Sequence, residues 1–254
     1  MAAEKPTVRI GVFIPFGAQL LDTACVDVFS CMSDQYLSPM RSVPSALKAL
    51  APHVSIAYVG TKPAGSLVEL TAGVSIPVTH HLDDPEVQPG KLDIVLVPGP
   101  DPARDLSDEK VAKWLRGHFN NKDTDMLSVC TGIYLFGEAG LLKGRKACGP
   151  RGLQDDIKKK YGDCTLLGHE LRWVQDGNFW SSGGVTNGND LVAAYARESR
   201  HFPSPIAEMG TAICDVGDRP QKYSKGQAAF TLGLIWVILK AWFMGTPKAK
   251  AKKN

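Results

Sequence analysis

An α/β fold with a doubly wound, mostly parallel sheet and helices on both faces follows from three observations. Short β-branched apolar runs alternate with amphipathic segments along most of the chain, the order that builds parallel strands joined by crossover helices. One such run, Met126-Leu-Ser-Val129, passes directly into Cys130-Thr-Gly132 and then into a helical stretch ending near Gly140. With 254 residues, 44% of them hydrophobic and 22% charged, the chain has ample material for one core.

The first strand is expected over residues 8–14, which are β-branched and bounded by turn signals. A helix follows over residues 20–32, with Leu21, Cys25, Val28, Phe29 and Met32 on its apolar face. Residues 33–50 carry prolines and serines and read as an insertion ahead of a second strand at residues 54–59. Residues 66–78 alternate like a hairpin, and residues 92–97 form a third core strand closed by Pro98-Gly99-Pro100. An amphipathic helix spans residues 107–119 with Ser107 as its N-cap.

Beyond the Cys130 segment, a short strand is expected at residues 144–147 and a charged helix at residues 153–161. Residues 171–174 and 179–182 flank Gln175-Asp-Gly-Asn178, a hairpin turn. Gly183-Gly184 then opens a helix over residues 189–201. No internal repeat is present, so residues 1–227 are read as one domain.

Residues 228–244 are apolar except for Thr231 and Lys240. Spanning a bilayer takes roughly 20 residues, so this segment is short, and Lys240 interrupts it. The favoured expectation is a C-terminal helix (residues 228–245) packed on the protein or on an oligomer partner, ahead of membrane contact. Residues 246–254 then read as a basic disordered tail. That tail supplies four lysines, which account for the formal charge of +3, and the rest is close to neutral. No basic face for nucleic acid is therefore expected.

Six cysteines occur without a CxxC pair, the six histidines show no metal-ligand spacing, and no GxGxxG or Walker-type loop is present. The expectation is a protein without metal or cofactor. The N-terminus lacks the apolar stretch of a signal peptide, pointing to a reduced, cytoplasmic setting.

Cys130 is the main candidate for chemistry. A side chain on a strand-to-helix turn projects above the sheet at a helix N-terminus, where the dipole and free N–H groups favour a thiolate or a developing oxyanion. Gly132 permits the tight helix entry and Thr131 sets a hydroxyl beside the sulfur. The alternative is a cysteine packed as a small hydrophobe.

Four features together resemble the ThiJ/PfpI group of the class I glutamine-amidotransferase-like superfamily. They are Gln19-Leu-Leu-Asp22 after the first strand, residues 92–99 ending in Pro-Gly, Ser128-Val-Cys-Thr-Gly132, and residues 177–190. Val129-Cys-Thr-Gly132, Gly140-Leu-Leu-Lys-Gly-Arg-Lys-Ala147 and Gly183-Gly-Val-Thr-Asn-Gly-Asn-Asp190 are most similar to the isonitrile hydratase branch. The similarity covers roughly residues 7–213. It implies a flavodoxin-like fold with Cys130 as nucleophile, Asp22 as proton carrier and Thr131 hydrogen-bonding nearby. The activity implied is that of a hydro-lyase hydrating an isonitrile to an N-substituted formamide.

Two departures from that pattern stand out. Pro150 occupies the place where many members carry a histidine, which argues against a Cys–His dyad. Pro100 replaces a glycine and has no N–H, leaving Gly99 and Thr131 as the expected backbone oxyanion donors. Arg151, Cys148 and His169 fall in segments expected to approach the site and are candidate substrate-binding residues. His80-His81 reads as a solvated turn. A second functional class stays open, a non-catalytic redox-sensing or stress-response binding protein with an oxidisable Cys130. A homodimer is expected, because the first helix and the apolar C-terminal segment both need cover.

Overall fold

The structure, a computed structural model, describes residues 5–244. Strand β1 (Thr7–Phe13) is followed by helices α1 (Leu20–Thr23), α2 (Val26–Cys31), α3 (Asp34–Leu37) and α4 (Ser45–Leu50). Next come β2 (His53–Gly60), the hairpin β3 (Leu67–Glu69) and β4 (Ser75–Pro77), β5 (His80–His81) and β6 (Ile94–Val97). Then follow α5 (Glu109–Phe119), β7 (Asp125–Ser128), α6 (Ile133–Glu138), β8 (Lys146–Ala147), α7 (Gln154–Tyr161) and β9 (Thr165–Leu166). The hairpin β10 (Trp173–Asp176) and β11 (Phe179–Ser182) precedes α8 (Asn187–Glu198), α9 (Ser204–Cys214) and α10 (Gln227–Met244).

Among the described residues, the main sheet runs in the order β10-β11-β7-β6-β1-β2-β5. All neighbours are parallel except the β10–β11 hairpin. The two-residue alternation of β6 explains why helices must cover both faces. Ile94 and Leu96 enter one core with Phe29 of α2, Tyr195 of α8 and Ile206 of α9. Val95 and Val97 enter the other with Trp114 and Leu115 of α5 and Phe136 of α6. This is the doubly wound, mostly parallel architecture expected from the alternating pattern.

Several local expectations change. The helix expected over residues 20–32 is two short helices joined at Ala24 and Cys25, which keep right-handed helical dihedrals while the bonds tighten, Asp27 N–H donating to Ala24 O (3.1 Å) and Val28 N–H to Cys25 O (3.2 Å). α5 is capped by Asp108, whose Oδ1 accepts the N–H groups of Lys110 (2.8 Å) and Val111 (3.2 Å). Ser107 instead donates its hydroxyl to Asp105. α9 was not anticipated, although Ile206, Ala207, Gly210 and Thr211 are its buried positions at helical spacing.

α10 departs most. None of its residues is buried, with Trp236 67% and Trp242 77% exposed. The expected packing on the domain is therefore not made within one chain, because both faces of the sheet are already covered by other helices. Its link to the domain is at its base, where Gln227 Nε2 donates to Arg151 O (3.3 Å) and the Arg151 guanidinium lies over the Phe230 ring. The basic tail expected at residues 246–254 lies outside the described residues.

Phe29 is fully buried and its ring lies 5.8 Å from Phe202 and 6.2 Å from Tyr195, centroid to centroid. Phe29→Ala is expected to cost about 3–5 kcal/mol in chemical denaturation. A loss below about 1 kcal/mol would mean that this helical layer is not packed on the sheet.

Candidate functional site

In an open parallel sheet, ligands bind where crossovers leave adjacent strands in opposite directions, at the strands' C-terminal ends. Here that point lies between β1 and β6, whose chain continuations run to opposite sides. A cleft of about 790 Å³ opens there. Its walls are residues 15–19 after β1, residues 99–102 after β6, Cys130 and Thr131 after β7, and the Leu70–Thr71 arm of the hairpin, with Pro150 and Leu153 opposite.

The turn that carries Cys130 is strained. Its φ of 57° lies in the left-handed region, which a non-glycine residue enters at a cost of about 1–3 kcal/mol. Backbone bonds enforce it: Val129 N–H donates to Val97 O (3.0 Å) and Gly132 N–H to Val129 O (2.9 Å). Gly132 is required because a Cβ there would lie 2.3 Å from Val97 O. A single 3₁₀ turn (Cys130–Gly132) then feeds α6.

Asp22 lies on α1, beneath the residues that line the cleft, and is not itself part of the lining. α1 is one turn long and is pinned by its surroundings. Gln19 N–H donates to Gly99 O (2.9 Å), Leu20 N–H to Thr71 Oγ1 (2.9 Å), and Thr71 N–H to Ala18 O (3.1 Å). This clamp turns Asp22 inward, where it is fully buried. Its Oδ2 accepts the Gly99 N–H (3.1 Å), and its Oδ1 has no hydrogen-bond partner. A Cβ on residue 99 would sit 2.6 Å from Asp22 Oδ2 and 2.3 Å from Thr131 Oγ1, so only glycine fits.

Burial pushes the Asp22 carboxyl up to about 7, against the smaller pull of the Gly99 N–H and the Cys130 thiol. Burial, joined by the neighbouring Asp22 charge, likewise pushes Cys130 up to about 11. The backbone N–H groups of Val185 and Thr131 beside the sulfur oppose this without reversing it. The expectation of a helix-stabilised thiolate is therefore corrected. α6 has six residues, and loss of water outweighs what its N-terminus returns. Near neutral pH the site is a thiol facing a carboxyl group that is part protonated.

The structure brings Cys130, Asp22, Thr131 and Gly99 together, with two changes of detail. The Gly99 N–H is engaged by Asp22 and so is not a free oxyanion donor. The Thr131 hydroxyl donates to Pro100 O (2.7 Å) rather than to the sulfur. Val185 is a contributor that residue-type reasoning missed, since it acts through its backbone. The nearby close approach to the turn is at Gly188, where a Cβ would lie 2.7 Å from Val129 Cγ1.

Arg151, Cys148 and His169 do not line the cleft. Arg151 is held by Gln227 Oε1 (3.1 Å) and Lys225 O (3.0 Å) and stacks between Tyr223 and Phe230. Cys148 is fully buried, and its N–H donates to Ser181 Oγ (2.8 Å). His169 turns its Nδ1 into the protein without a partner. Pro150 does reach the cleft wall, so no imidazole stands at that position.

A flavodoxin-like sheet with a cysteine on a strained turn above it defines the class of protein. The chain belongs to the DJ-1/PfpI family, whose pattern matches residues 39–198. It is similar to isonitrile hydratase of Pseudomonas putida, with 30% identity over 132 residues, 52% of this chain. The match spans about half (54%) of that relative's length. Among solved structures, a ThiJ/PfpI family protein from Pseudomonas syringae superposes with a TM-score of 0.61 at 19% identity, covering 94% of this chain and 87% of that one. Drosophila melanogaster DJ-1beta gives 0.62 at 16% identity, covering 82% and 98%.

The buried carboxyl has a consequence for stability. Asp22 titrates near 7 in the folded protein and near its ordinary 3.8 when unfolded. The folded state therefore holds an extra proton between those values. Its contribution is complete below about pH 4 and is lost as pH rises through about 7, a loss of up to about 4 kcal/mol. Asp22→Asn is expected to flatten this decline in urea denaturation at acidic, neutral and mildly alkaline pH. Parallel profiles for parent and variant would contradict the burial of an ionisable carboxyl.

Proposed function

We propose that the chain is a cofactor-independent enzyme that adds water across a small neutral electrophile through Cys130, an isonitrile being the substrate class favoured. The observation that carries this reading is the pairing of a buried Asp22 carboxyl with the Cys130 thiol on a strained turn in the cleft. A pair that keeps one shared proton near neutral pH supplies both halves of such an addition. Asp22 takes the thiol proton as sulfur attacks the terminal carbon of R–N≡C. That proton passes to the same carbon, giving a thioimidate, R–N=CH–S–Cys130. Water then adds to this carbon with proton transfer to nitrogen. The carbon–sulfur bond breaks, the sulfur recovers a proton through Asp22, and R–NH–CHO leaves. The Val185 and Thr131 N–H groups stabilise negative charge at sulfur as it attacks and departs.

Two features of the cleft support a neutral substrate. Its charged residues are Lys62, Glu69, Asp101 and Arg104, which balance in sign. Its remaining wall is largely apolar, including Phe16, Leu70, Pro150 and Leu153. The redox-sensing reading has less support. Oxidation to sulfenic acid follows thiolate character and exposure, whereas Cys130 is 5% exposed and its thiol is pushed up to about 11.

Incubation with a panel of small isonitriles is expected to yield formamides and, by intact mass, a transient adduct confined to Cys130. Cys130→Ala should abolish turnover, and Asp22→Asn should lower it roughly 10²–10⁴-fold. An Asp22→Asn variant within a factor of about two of the parent would remove the carboxyl from the mechanism.

The pH profile of kcat/KM is a separate check. Below about 7 Asp22 is protonated and cannot accept the thiol proton; above about 11 the pair has no proton left to give. Activity should therefore fall on the acid side of pH 7, and the residual activity of Asp22→Asn should lack that limb. An acid limb retained in the variant would assign it to another group.

A further inference from the structure

We infer that α10 inserts into a lipid bilayer and holds the α/β domain at its surface. The inference rests on the helix alone and not on the chemistry at Cys130.

α10 is an 18-residue helix long and apolar enough to cross a membrane, and no part of it is buried in the protein. A core helix of a soluble domain also has such a composition, but it is covered by its own fold, and this one is not. Nor does α10 have the two-faced pattern of a helix lying flat on a membrane. Leu232, Leu234, Ile235, Trp236, Val237, Ile238 and Leu239 are all exposed. At about 3.6 residues per turn these consecutive positions surround the helix on every side. A second copy of the helix would cover one side of each and leave the other in water. A hydrocarbon phase covers all sides at once.

The ends of the helix fit the same occupant. Eighteen residues rise about 27 Å, close to the ~30 Å hydrocarbon thickness. Trp242 and Phe243 lie at the C-terminal end, the level of the interface that aromatic side chains favour. Lys240 is one turn from that end, within reach of the headgroups by an extended side chain. The sequence before the helix carries Arg219, Lys222 and Lys225, and the sequence after it Lys248, Lys250, Lys252 and Lys253. Both flanks therefore attract anionic headgroups. At its base, the Gln227–Arg151 bond and the Arg151–Phe230 stack join the helix to the segment that supplies Pro150 and Leu153 to the cleft wall.

Flotation of the full-length chain with vesicles of phosphatidylcholine and phosphatidylserine tests the proposal. The chain should rise with the vesicles and stay with them through high-salt and alkaline carbonate washes. Ile235→Lys combined with Ile238→Lys, in the full chain, should reduce vesicle association about tenfold or more. The thermal unfolding of the domain should not change, because neither residue touches it. Cys130→Ser should float like the parent, which separates anchoring from catalysis. Three results would overturn the inference. One is a chain that stays in the aqueous phase as a stable dimer. Another is release by salt alone, which would assign binding to the lysines. The third is unfolding of the domain by the double lysine variant, which would mean that α10 packs on protein.

Discussion

The candidate site depends on one physical fact, the removal of the Asp22 carboxyl from water. A carboxylate in that position must either keep its proton or find charge and hydrogen bonds to replace its hydration. Among the described residues its hydrogen-bond donor is the Gly99 backbone N–H, and no cation pairs with it. The carboxyl therefore stays part protonated near neutral pH, and its partial charge in turn raises the thiol it faces.

Holding that pair explains features that look unrelated along the chain. Asp22 follows β1, Gly99 follows β6 and Cys130 follows β7, and the order β7-β6-β1 makes these strands neighbours. Three C-terminal strand ends thus deliver a carboxyl, a backbone donor and a thiol to one crevice. The approach is close enough to exclude a side chain at residue 99 and at residue 132. The β3–β4 hairpin lies outside the main sheet, yet its Thr71 pins α1 and so sets the depth of Asp22.

What was legible in the sequence follows the range of the forces involved. Alternation of apolar runs reports burial on two faces, so the doubly wound sheet and the Cys130 turn were readable from local pattern. Asp22 and Thr131 came from a resemblance that the geometry then gave a physical form. The donors to sulfur were not readable, because Val185 contributes only its N–H and any residue type carries one. The direction of the thiol's shift was misjudged for a related reason. A helix N-terminus is visible in sequence, whereas the depth of burial that overrides it is a property of the assembled crevice. Arg151 was placed near the cleft by its neighbours Pro150 and Leu153, but its own side chain turns to the base of α10. The exposure of α10 was hidden for the opposite reason. Its composition shows that it needs cover, and only the completed fold shows that this chain leaves no uncovered face to provide it.

The donor inventory around Cys130 separates the chemistries open to such a turn. Acyl transfer builds negative charge on a carbonyl oxygen, and enzymes that perform it aim free N–H groups at that oxygen. Here Pro100 has no N–H, the Gly99 N–H is taken by Asp22, and the backbone of Thr131 and Val185 favours the charged form of the sulfur. In the reaction proposed above, charge is then stabilised on the sulfur as nucleophile and leaving group rather than on a substrate oxygen. Addition of a thiol to a terminal carbon asks for that distribution, with a proton delivered beside the attacking sulfur, and the Asp22 carboxyl stands where that proton must be held. A hydrolase built on the same turn would have to free the Gly99 N–H, which means releasing Asp22 from the bond that holds its carboxyl beside Cys130.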